Sequence, residues 1–521
     1  MKITILSTSD THGFVAATDF TQAGDFDAPL GLARAATVIK RERAKAEANG
    51  DVVLAIENGD FIQGSPLAAF VAQKRPEFAD VWDQLFHEIG YDARVLGNHE
   101  FNFGDDYLTR VLDSADVLNA NLLNDDGESF FGAPYRIIER QGLKIGVLGL
   151  TTEYIPHWEH PENYVKVAEF ANPRVMAERY LPELRAQSDV VVIAYHAGFE
   201  RDLDNGQPTE TPRGENRGYE LIEQVGGFDA LVTGHQHRQL AGVLHDVALT
   251  QPGHKGSHVG KITLTIENGE VVDRYAELIP TAPFPADEAV LTLIQQAQAL
   301  VDTDLDQVIG HLTADASFVD ANAARRGNHA YIQLINQIQA ETMGVDVAGT
   351  SLFNNFLTGF KQEVTKRDVA VNYPYVETLS VLRLTGADLR AALEQTSDYF
   401  VLNDAGDVVP NPSYVEPKPQ HYNYDLWSGI DYTIDVAQPV GSRITSLQYH
   451  GHDLADDEEI DVAMTSFRAV GGGDYHMFTA DKILRTDERE VVDVIADYLA
   501  AHDVVDVRDA GNIRVINSQR V

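Results

Sequence analysis

The chain has 521 residues, with 40 Lys and Arg against 80 Asp and Glu, a formal net charge of −40, and no cysteine. That field disfavours nucleic-acid polymers and anionic membranes as partners. The missing thiols exclude disulfides and thiolate metal sites, so any ion must be held by His, Asp, Glu or Asn. The length predicts two cores rather than one, and 44% hydrophobic residues are enough to fill them.

The N-terminal "MKITILSTSD" reads as a core strand, without the apolar run and small-residue cleavage site of a secretory signal. No stretch reaches the ~18 apolar residues of a membrane span. The expectation is a soluble, cytoplasmic protein. A secreted or cell-surface location is the alternative if a leader has been removed.

The first half repeats one pattern: a short apolar run stops abruptly at polar, metal-competent residues. "KITILSTSDTHG" ends in Asp10 and His12, "DVVLAIENGD" in Asp60, and "ARVLGNHE" in Asn98 and His99. "SDVVVIAYHAG" ends in His196 and "FDALVTGHQH" in His235 and His237, while "LKIGVLGLTT" is a strand without a ligand at its end. Helical stretches such as "LGLARAATVIKRERAKAEANG" lie between them. Continuous apolar strands alternating with helices indicate α/β layering, with ligand sites at the carboxyl ends of the strands.

Pro280, Pro283 and Pro285 then break the pattern. "ADEAVLTLIQQAQALVDTDL" reads as one helix, with Val290, Leu293, Ile294 and Ala297 at helical spacing. Beyond it come an amphipathic helix, "HAYIQLINQIQAETMG", and strand-like runs, "ETLSVLRLTG" and "GIDYTIDVAQP". "NDAGDVVPNPSYVEPKPQH" reads as a Pro-rich surface loop. The expected domains are 1–281, a linker helix over 282–306, and 307–521.

Asp10, His12, Asp60, Asn98, His196, His235 and His237 are too many N/O donors for one tetrahedral ion. They suit two divalent ions sharing a carboxylate. Asp60 is the natural bridge, and Asn98 adds an oxygen without adding charge. The histidines of "GHQH" are spaced i, i+2, which on an extended segment puts both on one side, each able to reach a different ion. Any one of these short motifs alone is an ordinary turn; the ordered set is not.

"DTHG", "GD…GSP", "GNHEF", "AYHAG" and "TGHQH" resemble the motif series of the calcineurin-like metallophosphoesterases. Their order and spacing resemble the 5′-nucleotidase family, nearest to its 2′,3′-cyclic-nucleotide 2′-phosphodiesterase/3′-nucleotidase branch, over nearly the whole chain. The resemblance implies an N-terminal four-layer α/β/β/α sandwich and a C-terminal α/β substrate-binding domain. It implies one ion on Asp10, His12, Asp60 and His237, and a second on Asp60, Asn98, His196 and His235. Mn²⁺ or Zn²⁺ is expected, with Co²⁺ and Fe²⁺ also compatible. His99 matches the family's catalytic histidine, next to the ions without ligating them. Glu100 is expected to support the turn through local hydrogen bonds.

Asn102 stands where many family 5′-nucleotidases have an Asp that pairs with the histidine. Asn can orient the ring but adds no charge, and "GNHEFN" resembles the cyclic-phosphodiesterase branch. In the second half, "HYNYDLWSGIDYTIDV" and "TSFRAVGGGDYHMF" resemble the nucleoside-binding segments of the family. Tyr422 and Phe467 would stack on the base, with Tyr424 a weaker candidate, and Gly472 would permit close backbone approach. The family's "N-x-GG-x-R" segment is replaced by "GTSLFNNFLTGFKQ", which lacks the Gly pair and the Arg. Asn354 is the candidate substrate contact there.

The implied activity is dimetal-dependent hydrolysis of nucleotide phosphoesters: 2′,3′-cyclic nucleotides to 3′-nucleotides, then to nucleoside and phosphate. The rivals are a 5′-nucleotidase or nucleotide-sugar hydrolase, and a catalytically silent nucleotide-binding protein. The expected partner is a small nucleotide, with no nucleic-acid polymer and no membrane. The expected state is a monomer or weak homo-oligomer.

Overall fold

The computed structural model describes residues 1–520 except 23, 211–212, 328, 376, 417–418 and 508–510. The chain divides into two compact units, Met1–Asp302 and Thr303–Val521.

In the first unit the strands in chain order are β1 (Lys2–Thr8), β2 (Val52–Glu57), β3 (Ala93–Val95), β4 (Val117–Leu118), β5 (Tyr135–Arg140), β6 (Leu143–Thr151), β7 (Val190–His196), β8 (Ala230–Val232), β9 (Gln239–Leu244), β10 (Val247–Pro252), β11 (His258–Glu267) and β12 (Glu270–Pro280). They form two six-stranded sheets, ordered β12-β11-β1-β2-β3-β4 and β9-β10-β8-β7-β6-β5. The strands β1 to β4 run parallel, as do β6, β7, β8 and β10; antiparallel strands close the edges.

The two sheets pack face to face through Ile3, Ile5, Leu54 and Ile56 on one side and Val147, Val190, Val192 and Val232 on the other. Helices α1 (Leu32–Ala48), α2 (Val81–Ile89) and α3 (Pro173–Gln187) cover the outer faces. This is the expected four-layer arrangement. Because both faces of β2 and β7 are covered, every residue of both strands is buried, which explains their unbroken apolar sequence.

Helix α4 (Glu288–Leu305) carries the chain across the division between the units. Among the described residues no helix is long and apolar enough to cross a membrane. In the second unit, α5 (Ala330–Met343) buries Ile332, Ile335 and Ile338 and stops at Gly344, whose φ of 63° suits a glycine cap. The strands of its two larger sheets are β13 (Val347–Ser351), β14 (Leu379–Thr385), β15 (Asp425–Ser428), β16 (Ile430–Asp435), β17 (Ile444–Tyr449), β18 (His452–Asp453), β19 (Glu459–Thr465), β20 (Ile483–Asp487) and β21 (Ile513–Ile516). They form a mixed five-stranded sheet, β15-β13-β19-β14-β20, and a four-stranded one, β18-β17-β16-β21. The Pro-rich stretch is more ordered than expected. Val408–Pro410 pairs with Phe400–Leu402 in a hairpin, because the β-branched pair Val408 and Val409 resumes the strand after the turn. Its residues 417–418 lie outside those described.

Candidate metal centre

The parallel strands end at one rim. Asp10 and His12 follow β1, Asp60 follows β2, and Asn98 and His99 follow β3. From the facing sheet, His196 ends β7, and His235 and His237 follow β8. Asp10, Asp60 and His196 are all but inaccessible to solvent. Asp10, His12, Asp60, His235 and His237 have φ between 51° and 67°. Left-handed backbone costs a non-glycine residue about 1–3 kcal/mol and persists where the surroundings enforce it. Five such residues at one rim mark a functional site.

Ligand atoms of Asp10, His12 and His237 lie within 4.8 Å of one another, as do those of Asp60, His196 and His235. Asp60 Oδ2 is 3.2 Å from His196 Nε2 and 3.9 Å from His12 Nε2, so it faces both groups. Asn98 Oδ1 is 2.9 Å from His235 Nδ1. All seven sequence candidates are therefore brought together in two sets joined by Asp60. The two histidines of "GHQH" join different sets as expected, but not through an extended segment. Their left-handed backbone turns them apart.

The hydrogen bonds decide which imidazole nitrogens face the cluster. His12 Nδ1 donates to the Gln63 carbonyl at 3.0 Å and His196 Nδ1 to the Asn58 carbonyl at 2.7 Å, which turns Nε2 of each toward Asp60, with His12 Nε2 also 3.1 Å from His237 Nε2. His235 Nε2 donates to Glu215 Oε1 at 2.9 Å, and its Nδ1 lies 2.9 Å from Asn98 Oδ1. His196 Nε2 makes no hydrogen bond, although Asp60 Oδ2 is 3.2 Å away. This donor set fits two divalent ions of the borderline kind.

The electrostatics point the same way. Burial alone would lower the His196 pKa, but Asp60 outweighs it and lifts the imidazole to about 10. Burial pushes Asp10 up to about 7, partly offset by His196. Burial drives His12 down to about 3. Asp60 is held well below the usual range because His196, His99 and His12 overcome its own burial. Without ions, the site keeps a proton where a metal would bind.

Close packing fixes the rim. A Cβ on Gly97 would strike Asp60 Oδ1 and sit 2.8 Å from His196 Cε1. One on Gly234 would strike Ser9 Oγ and sit 2.7 Å from Asp10 Oδ2. Glu100, as expected, works through hydrogen bonds. Its buried carboxylate accepts from the backbone N–H groups of Asp60 (2.8 Å), Phe61 (2.6 Å), Ile62 (3.3 Å) and Gly97 (2.6 Å), tying the β2 loop to the β3 loop.

His99 donates its backbone N–H to Asp60 Oδ1 at 2.8 Å, and its Nδ1 meets Asn102 Oδ1 at 2.6 Å. A ring nitrogen of His99 lies within 4.8 Å of ligand atoms of His12 and Asp60. Asn102 Nδ2 in turn donates to Glu159 Oε2 at 2.5 Å. The neighbouring Trp158 stacks on His235 with ring centroids 5.3 Å apart. These two residues follow β6, the strand that the sequence leaves without a ligand. Glu215, Trp158 and Glu159 lie in loops with no apolar run directly before them, so strand-end reasoning had no signal for them.

In the second unit, Tyr422 and Phe467 are partly exposed, whereas Tyr424 is fully buried in the core and unavailable for stacking. Arg468 joins the two aromatic segments. Its Nη2 donates to the Tyr422 carbonyl at 2.8 Å, its Nη1 to the Gly472 carbonyl, and its Nε pairs with Asp425 at 2.8 Å. Gly472 packs so tightly on Phe467 that a Cβ would sit 2.6 Å from the ring. Asn354 Oδ1 is used within its own loop, accepting from Phe356 N–H at 2.8 Å. The loop is held by an arginine from elsewhere in the unit. Buried Arg325 donates to the carbonyls of Leu352 and Asn354 at 2.7 and 2.8 Å, a long-range contact that the sequence does not announce.

Two sheets whose parallel strands deliver seven N/O donor residues, with Asp60 between the two sets, fit the dimetal centre of a phosphoesterase. The family model for calcineurin-like phosphoesterase matches residues 3–239, and that for the 5′-nucleotidase C-terminal domain matches residues 308–480. A crystal structure of a putative 5′-nucleotidase from Staphylococcus aureus, in complex with alpha-ketoglutarate, is 34% identical with a TM-score of 0.90, over 99% of this chain and 100% of that one. The 2′,3′-cyclic-nucleotide 2′-phosphodiesterase/3′-nucleotidase of Salmonella typhimurium is 26% identical over 92% of this chain and 83% of that protein. The trifunctional nucleotide phosphoesterase protein YfkN of Bacillus subtilis is 26% identical over 98% of this chain, which spans 39% of its length. The chain belongs to the calcineurin-like phosphoesterases that carry a 5′-nucleotidase C-terminal domain, and it is a hydrolase of phosphoric esters with a dimetal centre.

Proposed function

We propose that the protein opens 2′,3′-cyclic nucleotides to 3′-nucleotides and then releases the 3′-phosphate. One ion is assigned to Asp10, His12, Asp60 and His237, the other to Asp60, Asn98, His196 and His235, with Mn²⁺ or Zn²⁺ the expected metals. The observation that carries this reading is the Asn102 contact of His99, where many family 5′-nucleotidases have Asp. The name of the Salmonella relative supports it.

Two bound ions supply Lewis acidity, polarising the phosphoryl oxygens and lowering the pKa of a water. The protein's own groups do the rest. With Nδ1–H held on Asn102, His99 has Nε2 for the leaving oxygen and, when doubly protonated, donates its proton there. Opening a strained five-membered diester relieves ring strain and needs less help at the leaving oxygen than a plain monoester, so for that step a histidine oriented by a neutral amide suffices. Tyr422 and Phe467 are proposed to stack on the base, which gives affinity with little base choice.

The test is phosphate release with added Mn²⁺ on 2′,3′-cyclic, 3′- and 5′-nucleotides side by side. The cyclic substrate is assayed with and without added phosphatase. Higher kcat/KM on cyclic and 3′-nucleotides supports the reading. Preference for 5′-AMP or a nucleotide sugar overturns it in favour of a 5′-nucleotidase.

A further inference from the structure

The histidine of this site depends on an amide whose two faces are different. If Asn102 turned over, its NH₂ would face His99 Nδ1, force that nitrogen to be the acceptor and move the ring proton to Nε2. An aspartate would not present this ambiguity, since both its oxygens accept. Something outside the pair must therefore choose the amide's orientation.

We propose that Glu159 is a positioning residue that sets the His99 tautomer through Asn102. The proposal rests on the assignment of His99 as the group facing the substrate. A carboxylate accepts and does not donate, so the Asn102 atom 2.5 Å from Glu159 Oε2 is the NH₂ group. That leaves Asn102 Oδ1 toward His99, and the 2.6 Å contact fixes the proton on Nδ1.

Glu159 is itself held. Its Oε1 accepts from Asn163 Nδ2 at 2.7 Å and from His160 N–H at 2.8 Å. The stack of Trp158 on His235 seats the same segment against the metal rim. The carboxylate that many relatives place beside the histidine is here one residue further out, and it acts by orientation.

The experiment combines four variants with measurements of activity, metal content and ¹⁵N shifts, using the full Zn²⁺-loaded chain. Activity is measured on glycerol 2-phosphate, whose alkoxide leaving group needs a proton, as well as on the nucleotides. The inference can then be judged even if the substrate assignment fails. Glu159→Ala should lower kcat about 10–100-fold, the usual range for groups that orient a site residue, with KM and metal content unchanged. The ¹⁵N shifts of His99 should move from a single Nδ1–H form to a tautomer mixture. Asn102→Asp alone should also lose activity, because it sets two carboxylates at 2.5 Å. The double variant Glu159→Ala/Asn102→Asp should recover most of what either loses, because an aspartate needs no external orientation. Glu159→Gln should fall between wild type and Glu159→Ala, which covers the case in which the alanine variant folds poorly. An unchanged kcat and tautomer in the Glu159 variants, or a double variant no better than Glu159→Ala, would overturn the proposal.

Discussion

Replacing Glu100 with alanine should dismantle the rim without touching a ligand. The carboxylate is 1% exposed and accepts from four backbone N–H groups, three of them at 2.6–2.8 Å. Each orphaned buried donor costs about 1–3 kcal/mol, and bonds to a charged acceptor lie at the upper end. Water entering the vacated space recovers part of this, so the expected loss is about 3–5 kcal/mol, a large share of a domain's ~5–15 kcal/mol. Asp60 also loses the bond that fixes its backbone, so metal should leave together with stability. Urea unfolding followed by circular dichroism reads the first, as a shift of the first-unit transition. Elemental analysis after gel filtration reads the second. Glu100→Gln should lose less stability, since one acceptor oxygen remains. A Glu100→Ala protein that kept two ions per chain and unfolded within about 1 kcal/mol of wild type would refute the reasoning, because the linked loops would then be held by something else.

Asp60→Asn should leave fewer than two ions per chain and no measurable phosphoesterase activity, since an amide has one oxygen to offer where the carboxylate has two; elemental analysis with a phosphate assay checks it. Gly234→Ala should lower affinity for the ion beside Asp10, because its Cβ would sit 2.7 Å from Asp10 Oδ2; metal titration reads the change. Metal loading of the stripped protein at pH 7–8 should release protons, because His196, lifted to about 10, is protonated there and must be neutral to bind. Calorimetry in buffers of different ionisation enthalpy measures this, and affinity should rise with pH. By the same sign, the protonated His196 stabilises the metal-free fold fully below about pH 6.5, and that contribution fades as pH rises toward 10.

The sequence made the first unit readable because parallel strands buried on both faces are continuous apolar runs, and because every such run but that of β6 ended on a donor. Asp10, Asp60 and His196 needed nothing beyond that rule. What stayed hidden was contributed by loops. Glu159 and Trp158 reach the rim from the segment after β6, Glu215 from the loop before β8, and no periodicity marks them. The left-handed backbone at His235 and His237 was also invisible, since a histidine carries no residue-level sign of positive φ, whereas a glycine would have. In the second unit Tyr422 and Tyr424 look alike in sequence. Only packing separates the half-exposed ring from the buried one, and the Arg325 contacts with Leu352 and Asn354 arise from tertiary closure alone.

The central claim is that His99 stands beside two ions without holding either. The measurement that tests it most directly is the metal content of His99→Ala set against its kcat on the same preparation. The account predicts two ions per chain, as in wild type, with kcat lowered about 10²–10⁴-fold, the usual contribution of a general acid. A variant that had lost an ion, or one that turned over at the wild-type rate, would contradict it.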